Sequence, residues 1–217
     1  MIADLLIPTT PPSKIRLGSA FDGGYAVCPN FLEKRLISIG CDDKTDFESA
    51  YLLFNPDSEI TIYDPRKRCA LADQDERVEF HKKAINSFSD LDMSSKCVIQ
   101  MDIEGAEYEM INNYDGKFEN VSQLIIEYHF GIHGGAEKDW RPILEKINAH
   151  YHLIHMHGNT TKPIRHCSPV PDVLECSYLH HDVFKASEIE PNPFPVTGID
   201  RPNRRGMEQH LLDWWID

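Results

Sequence analysis

The sequence has no long apolar run and no paired-cysteine motif. Its apolar stretches fall short of the roughly 20 residues that a membrane-spanning helix needs. The opening residues 1–5 lack the basic flank and the apolar segment of a secretory signal. The six cysteines never form a C-x-x-C pair, which favours reduced, buried thiols over a disulfide framework or a zinc site. We therefore expect a cytoplasmic protein without a membrane span.

Positive charge is also scarce. The chain has 22 Lys and Arg residues against 35 Asp and Glu residues, a net charge of −13, whereas a nucleic-acid partner needs clustered basic side chains. The basic run at 66–68 is short and is more typical of a solvated helix start. The G-x-G-x-x-G loop of dinucleotide-binding enzymes is missing as well. These absences argue against a nucleic-acid partner and against a nicotinamide oxidoreductase.

What the sequence does contain is a regular alternation of two kinds of segment. Strand-like apolar runs lie at 36–41, 60–63, 78–80, 97–103, 124–128, 153–156 and 173–179, and helix-like segments lie at 47–54, 67–74, 106–114 and 138–149. This alternation predicts an α/β fold with a mostly parallel, doubly wound, seven-stranded sheet and helices on both faces. The last two strands are joined without a helix, which predicts one antiparallel strand.

The length of 217 residues is natural for one domain, 1–217, with a core of its own. Within it we predict an N-terminal lead-in and hairpin at 1–35, the sheet at 36–185 and a C-terminal wrap at 186–217. Prolines make 186–206 irregular, and 207–215 is expected to form a short helix.

The run 97–109 joins an apolar strand to a helix that starts at a glycine. Asp102 and Glu104 lie at the carboxyl end of this strand, where open α/β sheets bind ligands. Carboxylates at that point suit acid–base chemistry, metal binding or a cationic ligand. The alternative is a first helical turn rich in acidic residues, which the helix dipole favours without any ligand.

The first core strand ends in Gly40, which lets a ligand approach the backbone closely. The loop and helix start that follow carry Asp42, Asp43, Asp46 and Glu48. Such an acidic loop would repel a pyrophosphate and would suit a positively charged sulfonium or amine. A solvated acidic loop is the alternative.

Asp64 and Pro65 end the second core strand. An acidic residue at that point can accept hydrogen bonds from ribose hydroxyls. After the third strand, the backbone at Lys83 and Ala84 is placed to lie along an adenine edge. Together these segments predict an adenosine site.

Residues 16–27 predict a β-hairpin whose tight turn is the Asp-Gly-Gly sequence that ends at Gly24. Tyr25 starts the returning strand. Arg16 is a candidate partner for a ligand carboxylate, and a purely structural turn is the alternative.

Glu127 and His129 end the fifth core strand, and His157 and Asn159 end the sixth. His129 is the best candidate for a base near neutral pH, although a histidine that hydrogen-bonds within the wall of a site is the alternative. The clustered histidines leave a metal site open.

Taken in order, these segments resemble the FkbM-like family of S-adenosylmethionine (SAM)-dependent methyltransferases. The resemblance covers most of residues 14–203. It rests on the Asp-x-Glu-Gly-x-Glu element and on the order of all the pieces, which are 16–25, 38–40 with 47–48, 63–65, 101–107, 126–129, 155–159, 171–178 and 200–203.

The resemblance implies a Rossmann-like class I methyltransferase fold. It also implies methyl transfer from SAM to a hydroxyl of a sugar in a glycan or glycoconjugate. Gly40 and the Asp42 loop would border the methionine part of SAM, Asp64 would hold the ribose, and Lys83 and Ala84 would flank the adenine.

By this resemblance Asp102, Glu104 and His129 would face the methyl acceptor and are the predicted catalytic residues. The predicted acceptor-binding residues are Glu127, His129, His157 and Asn159. The further predicted cofactor contacts are Arg16, Gly24, Tyr25, Glu48, Pro65 and Asp102.

Some related sugar O-methyltransferases hold a divalent cation after the fourth and fifth strands, which here implies Asp102 and Glu127. The usual paired aspartates are replaced by residues 127–129, so metal dependence stays open. The expected partner is a sugar or glycan acceptor, with a glycosyltransferase as an open second partner or fused domain. Two other functions also stay open: a catalytically inactive cofactor-binding or interaction module, and a methyltransferase acting on an amine or a protein side chain.

Overall fold

The computed structural model describes residues 2–42, 44–66, 69–131, 139–164 and 168–216. In these ranges the strands are β1 (Ile15–Gly18), β2 (Gly24–Val27), β3 (Arg35–Ile39), β4 (Glu59–Tyr63), β5 (Val78–His81), β6 (Cys97–Met101), β7 (Val121–His129), β8 (Tyr151–Gly158) and β9 (Val173–His180). The α-helices are α1 (Asp46–Phe54), α2 (Glu107–Asn112) and α3 (Arg141–Asn148). Short 3-10 turns cover Ile2–Leu5, Pro29–Phe31, Leu71–Asp73 and Phe88–Asp90.

Strands β3 to β9 form one seven-stranded sheet in the order β5-β4-β3-β6-β7-β9-β8. The pairs β3–β4, β4–β5, β3–β6 and β6–β7 are parallel. Strand β9 runs antiparallel to both of its neighbours, β7 and β8, so it is the single reversed strand. The predicted Rossmann-like, class I methyltransferase type of sheet is therefore confirmed.

Side chains alternate between the two faces of each strand, and this alternation builds two apolar cores. On one face Ile37, Ile99 and Leu124 pack in the core that also contains buried residues of α2 and α3. We call this the helix-pair face. On the other face Leu36 and Ile125 pack in the core that contains α1 and the hairpin β1–β2. We call this the hairpin face, and helices on both faces of the sheet are thus confirmed.

Local sequence explains the helices that carry these contacts. The first turn of α1 holds Asp46 and Glu48, which favour the positive end of the helix dipole. Helix α3 has a proline in its first turn and buries Ile143, Leu144 and Ile147 along one face.

The predicted hairpin is confirmed by the antiparallel pairing of β1 with β2. It packs on α1, where the rings of Tyr25 and Phe47 meet edge to face at 5.4 Å between centroids. This packing places the hairpin beside the carboxyl end of β3.

Two predicted helices are wrong in the described residues. Of the segment 67–74, residues 67 and 68 lie outside the description, and the remainder contains only the 3-10 turn Leu71–Asp73. The segment 207–215 forms no helix because Leu212 pairs with Phe194 in an antiparallel bridge, with N–O distances of 2.9 and 3.0 Å. This tertiary pairing overrides the local pattern.

The C-terminal segment covers the chain's own core. The indole N–H of Trp214 donates to the Leu6 carbonyl at 3.1 Å, and that of Trp215 donates to the Glu190 carbonyl at 2.8 Å. Five cysteines are free and buried in the described residues, as predicted, while Cys167 lies outside them. None of the helices in the described ranges has the length and apolar character that a membrane crossing requires.

Candidate functional site

The site lies where the strand order reverses. Strand β3 leads to β4 on one side, and the chain later returns to place β6 on the other side of β3. In open α/β sheets, ligands bind in the crevice that this reversal opens at the carboxyl ends of the strands. Gly40 follows β3 and Asp102 follows β6, so these two residues mark the crevice.

Only glycine fits at position 40. Its φ is +81°, and a Cβ there would lie 1.8 Å from the backbone oxygen of Asp102. The Gly40 N–H donates to the Tyr63 carbonyl at 2.9 Å, and the Asp102 N–H donates to the Ile39 carbonyl at 2.9 Å. The two loops therefore touch at their backbones and leave the space beside them for a ligand.

Asp64 holds the loop that follows β3. Its fully buried carboxylate accepts hydrogen bonds from the backbone N–H of Cys41 at 3.3 Å, Asp42 at 3.1 Å and Arg66 at 2.7 Å. Asp42 itself adopts a left-handed φ of +47°. Asp43, named with this loop above, lies outside the described residues.

The loop after β6 is held in a similar way by Glu107. One oxygen of this buried carboxylate accepts the N–H of Ile103 at 3.0 Å and of Gly105 at 3.2 Å. Glu104, between them, has a left-handed φ of +56°. Non-glycine residues in this region cost of order 1 kcal/mol and cluster at functional sites, and here both loops at the crevice contain one.

Two cavities open at this edge and share Gly40, Arg66 and Glu104 in their walls. The larger, of about 360 Å³, lies between the ends of β4, β5 and β6. Its walls include the aromatic side chain of Tyr63 and the apolar side chain of Ile85. The smaller, of about 90 Å³, lies under the hairpin turn. Joined at Gly40, they form one elongated space.

The structure brings together most of the predicted cofactor contacts. Asp64, Pro65, Lys83 and Ala84 line the larger cavity. Tyr25, Asp42, Glu48 and Asp102 line the smaller cavity, and Gly40 lines both.

Arg16 and Gly24 lie outside these two linings. The Arg16 guanidinium donates to the Ser19 carbonyl at 2.9 Å and to the Phe21 carbonyl at 2.7 Å. A Cβ on Gly24 would lie 2.8 Å from the Arg16 side chain. In this structure both residues hold the hairpin turn, so the ligand contact predicted for them stays a prediction.

His129 stands at the centre of a group of carboxylates. Its Nδ1 lies 3.0 Å from Glu107 Oε1. Its Nε2 lies 3.6 Å from Glu104 Oε2, 3.8 Å from Glu127 Oε1 and 4.0 Å from Asp102 Oδ1. The predicted catalytic residues thus occupy one cluster beside the smaller cavity.

This crowding changes the acidities. Burial raises the pKa of Asp102 to about 7; His129 opposes this rise, and Glu107 and Glu104 add to it. Burial also raises the pKa of Glu127 well above its ordinary value. Burial alone would lower the pKa of His129, but its hydrogen bond with Glu107 and the nearby negative charges raise it overall.

Glu48 is a second buried acid in the wall of the smaller cavity. Ser38 forms a short hydrogen bond with it and lies 3.0 Å from Gln100 Oε1. Burial raises the pKa of Glu48 to about 7. The carboxyl therefore titrates close to neutral pH.

The predicted acceptor-binding residues form a buried polar row behind His129. Asn159 donates to Glu127 Oε1 at 3.1 Å, and His157 Nδ1 lies 3.1 Å from Glu175 Oε2. Asn203, from the C-terminal segment, donates to Glu175 Oε1 at 2.8 Å. The row joins the ends of β7, β8 and β9.

Several site residues were missed from the sequence. Glu107 lies within the Asp-x-Glu-Gly-x-Glu element, so its pattern was visible although its role was not. Asp22 and Lys44 pair at 2.5 Å across the mouth of the smaller cavity, and Glu175 and Asn203 meet behind it. Nothing in the sequence places these distant residues together.

Comparison with known proteins found no matching family model and no matching curated protein. Similar solved structures include a fibrillarin/Nop5p complex, with 12% identity, a TM-score of 0.45, and 77% of this chain and 92% of that chain covered. Another is the Methanococcus jannaschii fibrillarin pre-rRNA processing protein, with 14% identity, a TM-score of 0.47, and coverage of 71% and 69%.

A third similar structure is the O-methyltransferase NcsB1 from neocarzinostatin biosynthesis, solved with SAM and 2-hydroxy-5-methyl naphthoic acid. It shows 12% identity and a TM-score of 0.37 over 70% of this chain and 50% of that chain. At these identities the matches do not establish a family for this chain, and the FkbM-like resemblance stays a prediction.

Proposed function

We propose that this protein is a SAM-dependent O-methyltransferase that acts on a hydroxyl of a sugar in a glycan or glycoconjugate. One observation carries the proposal. An elongated space lies at the reversal point of a methyltransferase-type sheet, and acidic side chains line the end of it that faces the candidate catalytic cluster. Negative walls favour a positively charged sulfonium over a phosphate.

The larger cavity suits the adenosine part of SAM. Ile85 and Ile103 offer apolar contacts for adenine, and Lys83 and Ala84 lie at the rim. Asp64 borders the same cavity at the end of β4, where an acidic residue binds ribose hydroxyls in this type of fold. Ribose hydroxyls would share its oxygens with the backbone N–H groups of Cys41, Asp42 and Arg66.

The smaller cavity suits the methionine part. Asp42 and Glu48 in its walls would attract the amino group, and Lys44 in the same walls would attract the carboxylate. The sulfonium would then lie near Asp102, on the side of the His129 cluster.

In the proposed reaction an acceptor hydroxyl oxygen attacks the methyl carbon of SAM. A C–O bond forms while the S–CH3 bond breaks, and the sulfonium becomes the neutral thioether of S-adenosylhomocysteine. The hydroxyl proton passes to Asp102 or His129, while Glu104 orients the acceptor. A positioned base contributes about 10²- to 10⁴-fold to such a step, and holding both reactants in line contributes more.

A sugar acceptor is supported by the polar character of the neighbouring row. Glu127, His157 and Asn159 place hydrogen-bonding groups at the ends of β7 and β8, where they are buried and bonded to one another and to Glu175. A polyhydroxylated ligand needs such groups and would have to exchange part of these bonds for its own. In this proposal the enzyme works in the cytoplasm, alone or with a glycosyltransferase that supplies the acceptor.

Cofactor binding is tested by calorimetry with SAM and S-adenosylhomocysteine. We expect micromolar binding by the natural chain. Ala84→Trp would fill the larger cavity and weaken SAM binding by at least about tenfold. Ala70→Trp is the matched control, since Ala70 is also exposed but lies outside both cavity linings. Equal SAM affinities of the two variants would place the cofactor elsewhere.

The acceptor is tested by a screen with methyl-labelled SAM against sugars, amines and peptides. Label transfer to a sugar hydroxyl supports the proposal. Label transfer only to amines or peptides would show that the methyl acceptor is one of these nucleophiles and not a sugar hydroxyl. SAM binding without transfer to any acceptor would favour an inactive binding module.

A further inference from the structure

We infer that Asp102, Glu104 and His129 form a binding site for a first-row divalent metal ion of the Mn²⁺ type, with Glu107 orienting the histidine. The metal site is independent of SAM binding, and only its role in activating the acceptor rests on the proposed function. This ligand set differs from the Asp102 and Glu127 pair that the family resemblance implies.

The spacing of the three side chains fits ligands of one ion. One potential ligand atom from each of them lies within 4.8 Å of the others. The distances from His129 Nε2 to Glu104 Oε2 and Asp102 Oδ1 are 3.6 and 4.0 Å, which is too long for hydrogen bonds. Two ligands bound at about 2.1 Å to the same ion lie roughly 3 to 4 Å apart.

Glu107 fixes which nitrogen of His129 faces this space. Its buried Oε1 lies 3.0 Å from Nδ1, so Nδ1 carries the proton in this contact and the Nε2 lone pair points toward Asp102 and Glu104 when the ring is neutral. A carboxylate behind a histidine is the usual outer-shell arrangement of metal-binding histidines.

The ligand atoms that His129 and Asp102 turn toward this space have no hydrogen-bond partner among the described residues. The His129 side chain is only 3% exposed, and Nε2 makes no hydrogen bond to any described residue. Asp102 Oδ1 is also buried without a hydrogen-bond partner in the described part of the chain. Such atoms cost about 1–3 kcal/mol each unless a ligand satisfies them.

The donor set selects the kind of ion. Imidazole with carboxylates suits Mn²⁺, Fe²⁺ or Zn²⁺, whereas Mg²⁺ and Ca²⁺ prefer oxygen ligands alone. With such an ion bound, Asp102 and His129 would be its ligands rather than the base, and the ion would act as a Lewis acid toward the acceptor hydroxyl. Glu127, with its Oε1 3.8 Å from His129 Nε2, is close enough to hold a coordinated water.

The test is a titration of the chelator-treated full chain with Mn²⁺, followed by electron paramagnetic resonance and calorimetry. We expect one Mn²⁺ per chain, bound at least about tenfold more tightly than Mg²⁺. His129→Ala and Asp102→Asn should each weaken Mn²⁺ binding by at least about tenfold, and Glu107→Gln by about 10- to 100-fold.

Glu119→Gln is the matched control for the Glu107 variant. Glu119 is 69% exposed and precedes β7 at the opposite edge of the sheet. The Mn²⁺ affinity of the Glu119→Gln variant should therefore equal that of the natural chain. Thermal melts identify any variant that fails to fold. If His129→Ala unfolds, the Mn²⁺ affinities of Asp102→Asn and Glu104→Gln test the site instead.

Absence of saturable Mn²⁺ binding, or equal binding by the natural chain and the folded ligand variants, would overturn the metal site. Calorimetry of SAM in excess chelator separates the two proposals. SAM binding without Mn²⁺ binding would remove the metal site and leave the methyltransferase proposal standing. Mn²⁺ binding without SAM binding would leave the metal site standing and remove the methyltransferase proposal.

Discussion

On strands β3, β6 and β7 the side chains of both faces of the sheet are buried, but the two faces differ in chemistry. On the helix-pair face, β3, β6 and β7 present apolar side chains such as Ile39, Ile99 and Leu124. On the hairpin face, the same strands alternate apolar residues with Ser38, Gln100 and Glu127, all of them buried. Burial by itself therefore does not distinguish core from site in this protein.

The comparison shows where the fold gains stability and where it gives stability up. Each apolar side chain on the helix-pair face contributes about 1.5–3 kcal/mol on burial. A buried carboxyl such as Glu48 or Glu127 costs free energy, and the raised pKa values of both groups record that cost. In the proposed function the hairpin face carries the chemistry, and the helix-pair face supports it.

The largest expected effect comes from Asp102→Asn beside the hairpin face. The substitution removes a candidate proton acceptor and metal ligand, so methyl transfer should fall by about 10²- to 10⁴-fold. SAM affinity measured by calorimetry should change far less than turnover, because the amide keeps the shape of the carboxyl beside the methionine part and adenosine binds in the other cavity. Asp115→Asn, at a position that is 97% exposed, is the control, and unchanged turnover by the Asp102 variant would remove Asp102 from the reaction.

A substitution on the helix-pair face should have the converse result. Leu124→Ala leaves a hole in the apolar core and should lower the free energy of unfolding by about 2–5 kcal/mol in urea titrations. The folded fraction should retain its SAM affinity and turnover. Leu53→Ala, at an 82% exposed position of α1, should change stability by less than about 0.5 kcal/mol. Loss of SAM affinity in the folded Leu124→Ala variant would contradict the assignment of stability to the helix-pair face and ligand binding to the hairpin face.

The sheet could be predicted because its information is local. Apolar runs of strand length alternate with helical patterns, and the missing helix before β9 indicates the reversed strand. The ends of β3, β4 and β6 could be placed at one edge for the same reason, and this placement brings Gly40, Asp64 and Asp102 together.

The remainder of the site depends on contacts between distant residues. Arg16 looked like a ligand for a carboxylate, but backbone carbonyls of its own hairpin occupy its guanidinium. The pairing of Leu212 with Phe194 replaced a predicted helix. The role of Glu107 likewise follows from the position of His129, 22 residues further along the chain. Local patterns contain none of this.

The smallest expected effect concerns the pH dependence of stability through Glu48. Its pKa is about 7 in the folded chain and 4.5 as the ordinary value. The folded pKa is the higher one, so the contribution of Glu48 to stability is fully present below pH 4.5 and is lost as the pH rises through 7. Between pH 5 and pH 8 this loss amounts to about 2 kcal/mol.

Glu48→Gln removes this titration while keeping a hydrogen-bonding side chain beside Ser38. Without SAM, the unfolding free energy of the natural chain should therefore fall by about 2 kcal/mol relative to this variant from pH 5 to pH 8. Exposed Glu59→Gln should follow the pH profile of the natural chain. Parallel profiles of unfolding free energy against pH for Glu48→Gln and the natural chain would mean that Glu48 stays ionised when buried. The free-energy cost of burying polar side chains on the hairpin face would then have to come from Glu127 and its neighbours.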